Sequence, residues 1–260
     1  MKVLHTEEPL LDARIIVHKH RSKTFTPYYN LTQLTSTMFF GFAFLTALAG
    51  FCALDSALTR LRLEGVYYAV HSLHNAAIVY STASEVAQTL TNFPLAIHQP
   101  VNLFALQICA ALHIYHILYY YQKLRFDDWL HHILMIGIAL PIGGIVPSGT
   151  MLGFSLFFTT GLPGGIDYAM LFLTRNFWLR RDIEKRINTW LNVWIRSPGC
   201  VAQAALSIVA LYMNADNLLI GQWYAGLLAG LLNYWNGQYF MQQVVYDLGR
   251  RSSIAGAIDV

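Results

Sequence analysis

Polar positions in this chain are gathered into short segments that separate long apolar ones. No Asp, Glu, Lys or Arg occurs in residues 24–54, 86–122, 129–166, 197–215 or 217–246. A bilayer core about 30 Å thick takes roughly 20 apolar residues as helix, and a backbone group left without a partner costs several kcal/mol in hydrocarbon. Each run therefore predicts membrane-spanning helix. The spans are expected at residues 36–58, 66–90, 101–121, 129–146, 150–173, 201–213 and 218–245. The run after Asp128 is too long for one helix, and Pro147-Ser148-Gly149 supplies a turn in its middle, so a hairpin is predicted there. Gly161-Leu162-Pro163-Gly164-Gly165 predicts a broken or re-entrant helix, set against the simpler reading of a loop at the interface.

Composition agrees with this pattern. Hydrophobic residues make up 55% of the 260 and charged residues only 12%, against about a quarter charged in soluble domains. The fold class expected is all-α, a polytopic transmembrane helical bundle of about seven spans, with six to eight compatible. It forms one domain over residues 36–250, with tails at 1–35 and 251–260. Arg60, Arg62, Lys123, Arg125, Arg175, Arg180, Arg181, Lys185, Arg186, Arg250 and Arg251 all fall in alternate connections, which marks those connections as cytoplasmic. The C-terminus is then inside and, with seven spans, the N-terminus outside, although Lys19, Arg21 and Lys23 before the first span oppose that placement.

Other features change the picture less. The N-terminal segment lacks the early apolar core of a signal peptide, and Glu7, Glu8 and Asp12 argue against a transit peptide. Asn30-Leu31-Thr32 is a glycosylation triplet set very close to the membrane. Cys52, Cys109 and Cys200 are odd in number and match no ligand spacing, so they read as small buried hydrophobes. Residues 180–191, followed by Trp194, predict a basic interfacial helix or a solvated basic loop. A net charge of +3 without a basic domain gives no support for nucleic-acid binding.

Histidine carries the candidate chemistry. Ten are present, most of them within or beside the apolar runs, where ionisable groups are rare and usually face the bundle interior. His113 and His116 lie near the end of the third span, and His131 and His132 begin the fourth. A turn centred near Lys123 and Leu124 places His116 opposite His131. Asp127 and Asp128 lie within one turn of His131 and His132, so a carboxylate could fix a ring's tautomer and leave the other nitrogen to take a proton near neutral pH. The competing reading makes Asp127 or Asp128 a helix cap and the histidines interface-seeking polar residues.

At these residues the chain resembles a known family. Phe126-Asp127-Asp128-Trp129-Leu130-His131-His132-Ile133 resembles the acidic-aromatic-His-His signature of the TLC family, which includes the ceramide synthases. Gly165 through Asn176, with Asp167 where the family usually has Glu, resembles its acidic-then-Asn stretch. Trp194-Ile195-Arg196 and Leu232-Asn233-Tyr234-Trp235 are similar to later segments, so the resemblance covers most of the chain. It implies a TLC-like bundle around a lipid-accessible cavity, often in the endoplasmic reticulum, with membrane lipid as ligand. By that resemblance His131, His132 and Asp128 are candidate catalytic residues, and His113, His116, Asp127 and Asp167 are candidate lipid- or substrate-binding residues. Acyl-CoA is the implied co-substrate of His-assisted acyl transfer. The further His-Asp pattern of ceramide synthases is missing, since residues 137–160 hold no acidic residue and no histidine, so a member other than a ceramide synthase is implied.

His71-Ser72-Leu73-His74, His113-Ile114-Tyr115-His116 and His131-His132 could together furnish metal ligands, but the HxxHH and HxxxH boxes of membrane metalloenzymes are absent. No metal is expected, and His71 and His74 read as polar contacts within the bundle, though both could line the same cavity. Two function classes remain: a lipid-handling enzyme, or a non-catalytic lipid-binding or structural subunit of a membrane complex. A transporter is a weaker third. A homo-oligomer or a membrane-protein partner is compatible, because Gly226 to Gly230 could pack against a neighbour or against the chain's own bundle.

Overall fold

The computed structural model describes residues 41–258, with side chains as far as Arg251. Residues 1–40, with their basic cluster and glycosylation triplet, and the start of the first expected span lie outside the described residues. Every regular element described is helical, and the order is α1 (Phe42–Arg60), α2 (Val66–Thr91), α3 (Phe93–Ala96), α4 (Leu103–Tyr120), α5 (Phe126–Leu134), α6 (Leu140–Ile145), α7 (Met151–Leu156), α8 (Leu162–Arg175), α9 (Arg181–Leu191), α10 (Ser197–Met213) and α11 (Ile220–Ile258).

Five helical runs are long and apolar enough to cross a membrane: Phe42–Arg60, Leu103–Lys123, Phe126–Ile145, Met151–Arg175 and Arg181–Met213. The expectation of about seven is thus met in part. α2 and α11 match these runs in length but are more polar. On α2 the polarity has a direction: His71, His74, Asn75, Thr82 and Thr89 are buried, while Leu73, Tyr80 and Leu90 are exposed. The helix is inside-out relative to one in a soluble protein, as expected where lipid is the solvent and polar groups must find partners within the bundle. It packs against α4, α7 and α8 and forms the centre of the bundle. α1 closes the opposite side of α4, burying Phe44 and Phe51 with Val70, Ile78, Leu106 and Leu152.

Three spans contain a π turn, at Met135–Ala139, Phe157–Gly161 and Asn192–Arg196. Each ends two residues before a proline, namely Pro141, Pro163 and Pro198. A proline inside a helix has no N–H to donate and its ring crowds the carbonyl of residue i−4. One wider turn absorbs both defects without ending the helix. The helix expected to break at Gly161 to Gly165 therefore runs without interruption from Met151 to Arg175. The same device settles the 180–191 segment as helix rather than loop, and as the first part of one run that continues into α10. Its faces are inverted like those of α2, with Glu184, Asn188, Asn192 and Arg196 buried and Ile183, Ile187, Trp190 and Trp194 exposed.

The Pro147-Ser148-Gly149 turn forms as predicted. Gly149 takes φ +59, and a Cβ there would strike the Ala96 carbonyl oxygen and the Ile97 backbone, so only glycine fits. The Thr150 N–H donates to Ala96 O at 3.1 Å, and the Thr150 and Thr89 hydroxyls meet at 2.7 Å, which ties the turn to α2 and α3. On α11, Gly226 lies against Leu211 and Gly237 against Cys200 of α10. These small residues serve close helix packing inside the chain's own bundle.

Candidate functional site

The α4–α5 hairpin turns through a short 3-10 segment, Tyr121–Lys123, and an extended pair, Leu124 and Arg125. Arg125 is the N-cap of α5, and its N–H donates to Asp128 Oδ2 at 2.9 Å. Asp128 thus closes the helix start, the role weighed above against direct contact with the imidazoles. It still contributes charge, since its carboxylate is the acidic group acting electrostatically on His116, His131 and His132. Asp127 is exposed and stands outside the cluster.

Four histidines meet across the hairpin. His132 Nε2 lies 2.8 Å from His116 Nδ1, and His113 Nε2 lies 3.3 Å from His131 Nε2. The expected His116–His131 pairing is replaced by two others: His116 meets His132, one residue along α5, and His131 meets His113, one turn back along α4. The cause is geometric: adjacent residues on α5 project about 100° apart, so His131 and His132 meet successive turns of α4. His113, His116 and His132 are buried, whereas His131 is exposed.

Backbone contacts fix the tautomers. His113 Nδ1 is 2.8 Å from Cys109 O and His71 Nδ1 is 2.8 Å from Tyr67 O, and a carbonyl can only accept, so both rings carry hydrogen on Nδ1. A neutral His113 then presents a bare Nε2, and His131 must donate to it. His132 Nδ1 is buried without a partner, and a buried orphan N–H is rarer than a buried orphan acceptor. The hydrogen of His132 therefore sits on Nε2 and points at His116. In both pairs the α5 ring donates, the α4 ring accepts, and Nδ1 of the α5 ring is left as a free lone pair.

Residues not singled out from the sequence complete the site. Tyr67, at the start of α2, packs on His71 and His116 with ring centroids 3.8 and 4.6 Å away, and Tyr168 of α8 lies 4.9 Å from His71. His71, one of the two histidines that could line the same cavity, is 5.4 Å from His116 and so borders the cluster. Asp55 of α1 accepts from the Tyr115 and Tyr120 hydroxyls at 2.5 and 2.6 Å, and the Tyr120 ring abuts Tyr67 and His116. Asp55 carried a usable signal, being a carboxylate inside an expected span. The tyrosines had none, because aromatic residues are ordinary in spans.

Asp167 is not among the histidines. It precedes Tyr168, and its electrostatic partners are Arg196, Glu184 and Lys185, while its Oδ1 is buried without a partner. Among the described residues, no three His, Cys, Asp or Glu side chains are placed to hold a metal ion together. The rings are instead spaced to hydrogen-bond one another, an arrangement that can accept and share a proton. Comparison with known protein families, with curated proteins and with solved structures found no match.

Proposed function

We propose that this chain is an integral membrane enzyme of the TLC type that acts on a membrane lipid by proton transfer at His131 and His132, with an acyl thioester such as acyl-CoA as co-substrate. One observation carries the reading: two histidine pairs span the α4–α5 hairpin with the same donor–acceptor sense, and each leaves a lone pair on the α5 ring. Nδ1 of His131 or His132 takes the proton of a lipid hydroxyl or amine as that group bonds to the acyl carbon. The C–S bond breaks, and the imidazolium returns the proton to the departing thiolate. While the ring is charged, its Nε2–H is held by the α4 histidine, and Asp128 supplies the compensating charge. His131, on the exposed face, is the member a substrate reaches first.

In this reading α2 and α11 also cross the bilayer, which makes seven spans, and the membrane is that of the endoplasmic reticulum. Burial of His113, His116 and His132 favours, as a second reading, a non-catalytic lipid-binding or structural subunit. Lipid profiles of cells carrying His131→Ala or His132→Ala separate the two. The enzyme reading expects one lipid class to fall and its precursor to rise. An unchanged profile at normal protein level sinks it and leaves the subunit reading.

A further inference from the structure

Both backbone groups of Glu64 are held by one side chain. The Glu64 N–H donates to Asn176 Oδ1 at 3.2 Å, and the Glu64 carbonyl accepts from Asn176 Nδ2 at 2.9 Å. The second hydrogen of that amide goes to Phe172 O, also at 2.9 Å, one turn back on α8. Both donated bonds are thus made and Oδ1 must face the N–H, so only one orientation of the amide satisfies its surroundings. Glu64 lies in the connection between α1 and α2 and Asn176 caps the end of α8, so the bonds join segments 112 residues apart.

The connection is shaped to meet that side chain. Arg62 takes φ +58 and Gly65 takes φ +66, which puts the left-handed region on either side of Glu64. A Cβ on Gly65 would stand 2.9 Å from the Tyr68 ring and 3.0 Å from Arg175 Cγ, so glycine lets the chain lie close against the end of α8.

This clasp closes one end of the antiparallel pair formed by α2 and α8. A second fastening lies further along, where Ser72 Oγ donates to Gly165 O at 3.1 Å. The aromatic neighbours of the histidine cluster fall between the two: Tyr67 is three residues after Glu64, and Tyr168 is eight before Asn176. The His71 ring packs on both, with centroids 3.8 Å from Tyr67 and 4.9 Å from Tyr168, and meets His116 edge-on at 5.4 Å. A step of one residue in either helix is about 1.5 Å along its axis and about 100° around it, enough to carry a tyrosine off the His71 ring.

We infer that Asn176 is a positioning residue of the histidine site: by clasping Glu64 it fixes the α2–α8 register that holds Tyr67 and Tyr168 against His71, and His71 against His116. The role rests on the proton-transfer reading for its purpose, but the placement is tested without turnover. Its mark on stability is small, because Glu64 is exposed and water replaces the lost partners. Its mark on geometry is local and specific.

The experiment follows the full chain in maltoside micelles by NMR, with histidine isotope-labelled at Cε1 and each signal assigned by replacing one histidine at a time with Gln. Protons over the face of an aromatic ring are shifted upfield, so Tyr67→Ala should move the His71 signal downfield and define the full displacement. Asn176→Ala should move His71 and His116 in the same direction at a nearly native melting temperature, while His98, in the connection between α3 and α4, stays in place. Gly65→Ala opens the clasp from the other side, should reproduce the shift, and decides the matter if Asn176→Ala does not fold. Unchanged lipid profiles in His131→Ala and His132→Ala would end the enzyme reading and leave this result standing. A native His71 signal in Asn176→Ala or in Gly65→Ala, or a displacement of His98 as large as that of His71, would each overturn the inference.

Discussion

Replacing Asp55 by Ala removes the acceptor shared by Tyr115 and Tyr120, and its cost can be worked from the geometry. Neutral hydrogen bonds between transmembrane helices average about 0.6 kcal/mol, because the unfolded chain in the membrane finds other partners. Bonds to an ionised group are worth about 1.5–3 kcal/mol. Two features place Asp55 at the upper end: both hydroxyls converge on one carboxylate oxygen at 2.5 and 2.6 Å, and Tyr115 is fully buried, so its O–H has no water to turn to. Asp55→Ala should therefore destabilise by about 3–5 kcal/mol, the sum of two charge-assisted bonds less some relaxation. Tyr120→Phe, which leaves Tyr115 bonded, should cost about 1.5 kcal/mol. Equilibrium unfolding in mixed micelles, followed by tryptophan fluorescence, measures both. In the double variant the Tyr120 change should add almost nothing, because its partner is already gone. Asp55→Ala within about 0.5 kcal/mol of the native chain, the scatter of ordinary surface substitutions, would refute the anchoring role.

The two catalytic candidates should separate in stability. Each change strands a buried ring of α4, but His132→Ala also empties a buried position, which predicts a loss of about 2–3 kcal/mol, whereas exposed His131→Ala should cost about 1 kcal/mol; melting curves in micelles decide, and a larger loss in His131→Ala would contradict the packing described. Beyond the apolar part of α11, burial alone would raise the Asp247 carboxyl, but hydrogen bonds from Arg251 at 3.1 Å and the charge of Lys185 at 3.3 Å outweigh it and hold the group below the usual carboxylate range. Its contribution to stability is therefore complete above that range and fades as pH falls through the depressed value. Asp247→Asn should flatten the acid limb of the melting temperature against pH, and an unaltered limb would count against the ion-pair cluster.

The order and character of the helices were legible in the sequence because they follow from the solvent. Long charge-free runs admit only helix in hydrocarbon, and Pro147 to Gly149 could only be a turn. The presence of His113, His116, His131 and His132 on two helices joined by a short connection was equally legible, since chain connectivity alone brings them together. Which ring meets which was not, because pairing depends on the rotation of α5 against α4, and a step of one residue there turns a side chain through about 100°. Distant segments were the other gap. Asp55, His71 and Tyr168 reach the cluster only through the packing of α1, α2 and α8 around α4, contacts between residues far apart in the chain. The sequence by itself thus determined a helical membrane protein with a histidine hairpin. Tertiary packing decided the rest, by turning the polar stripes of α2 and α9 inward, where polar groups must find partners within the bundle.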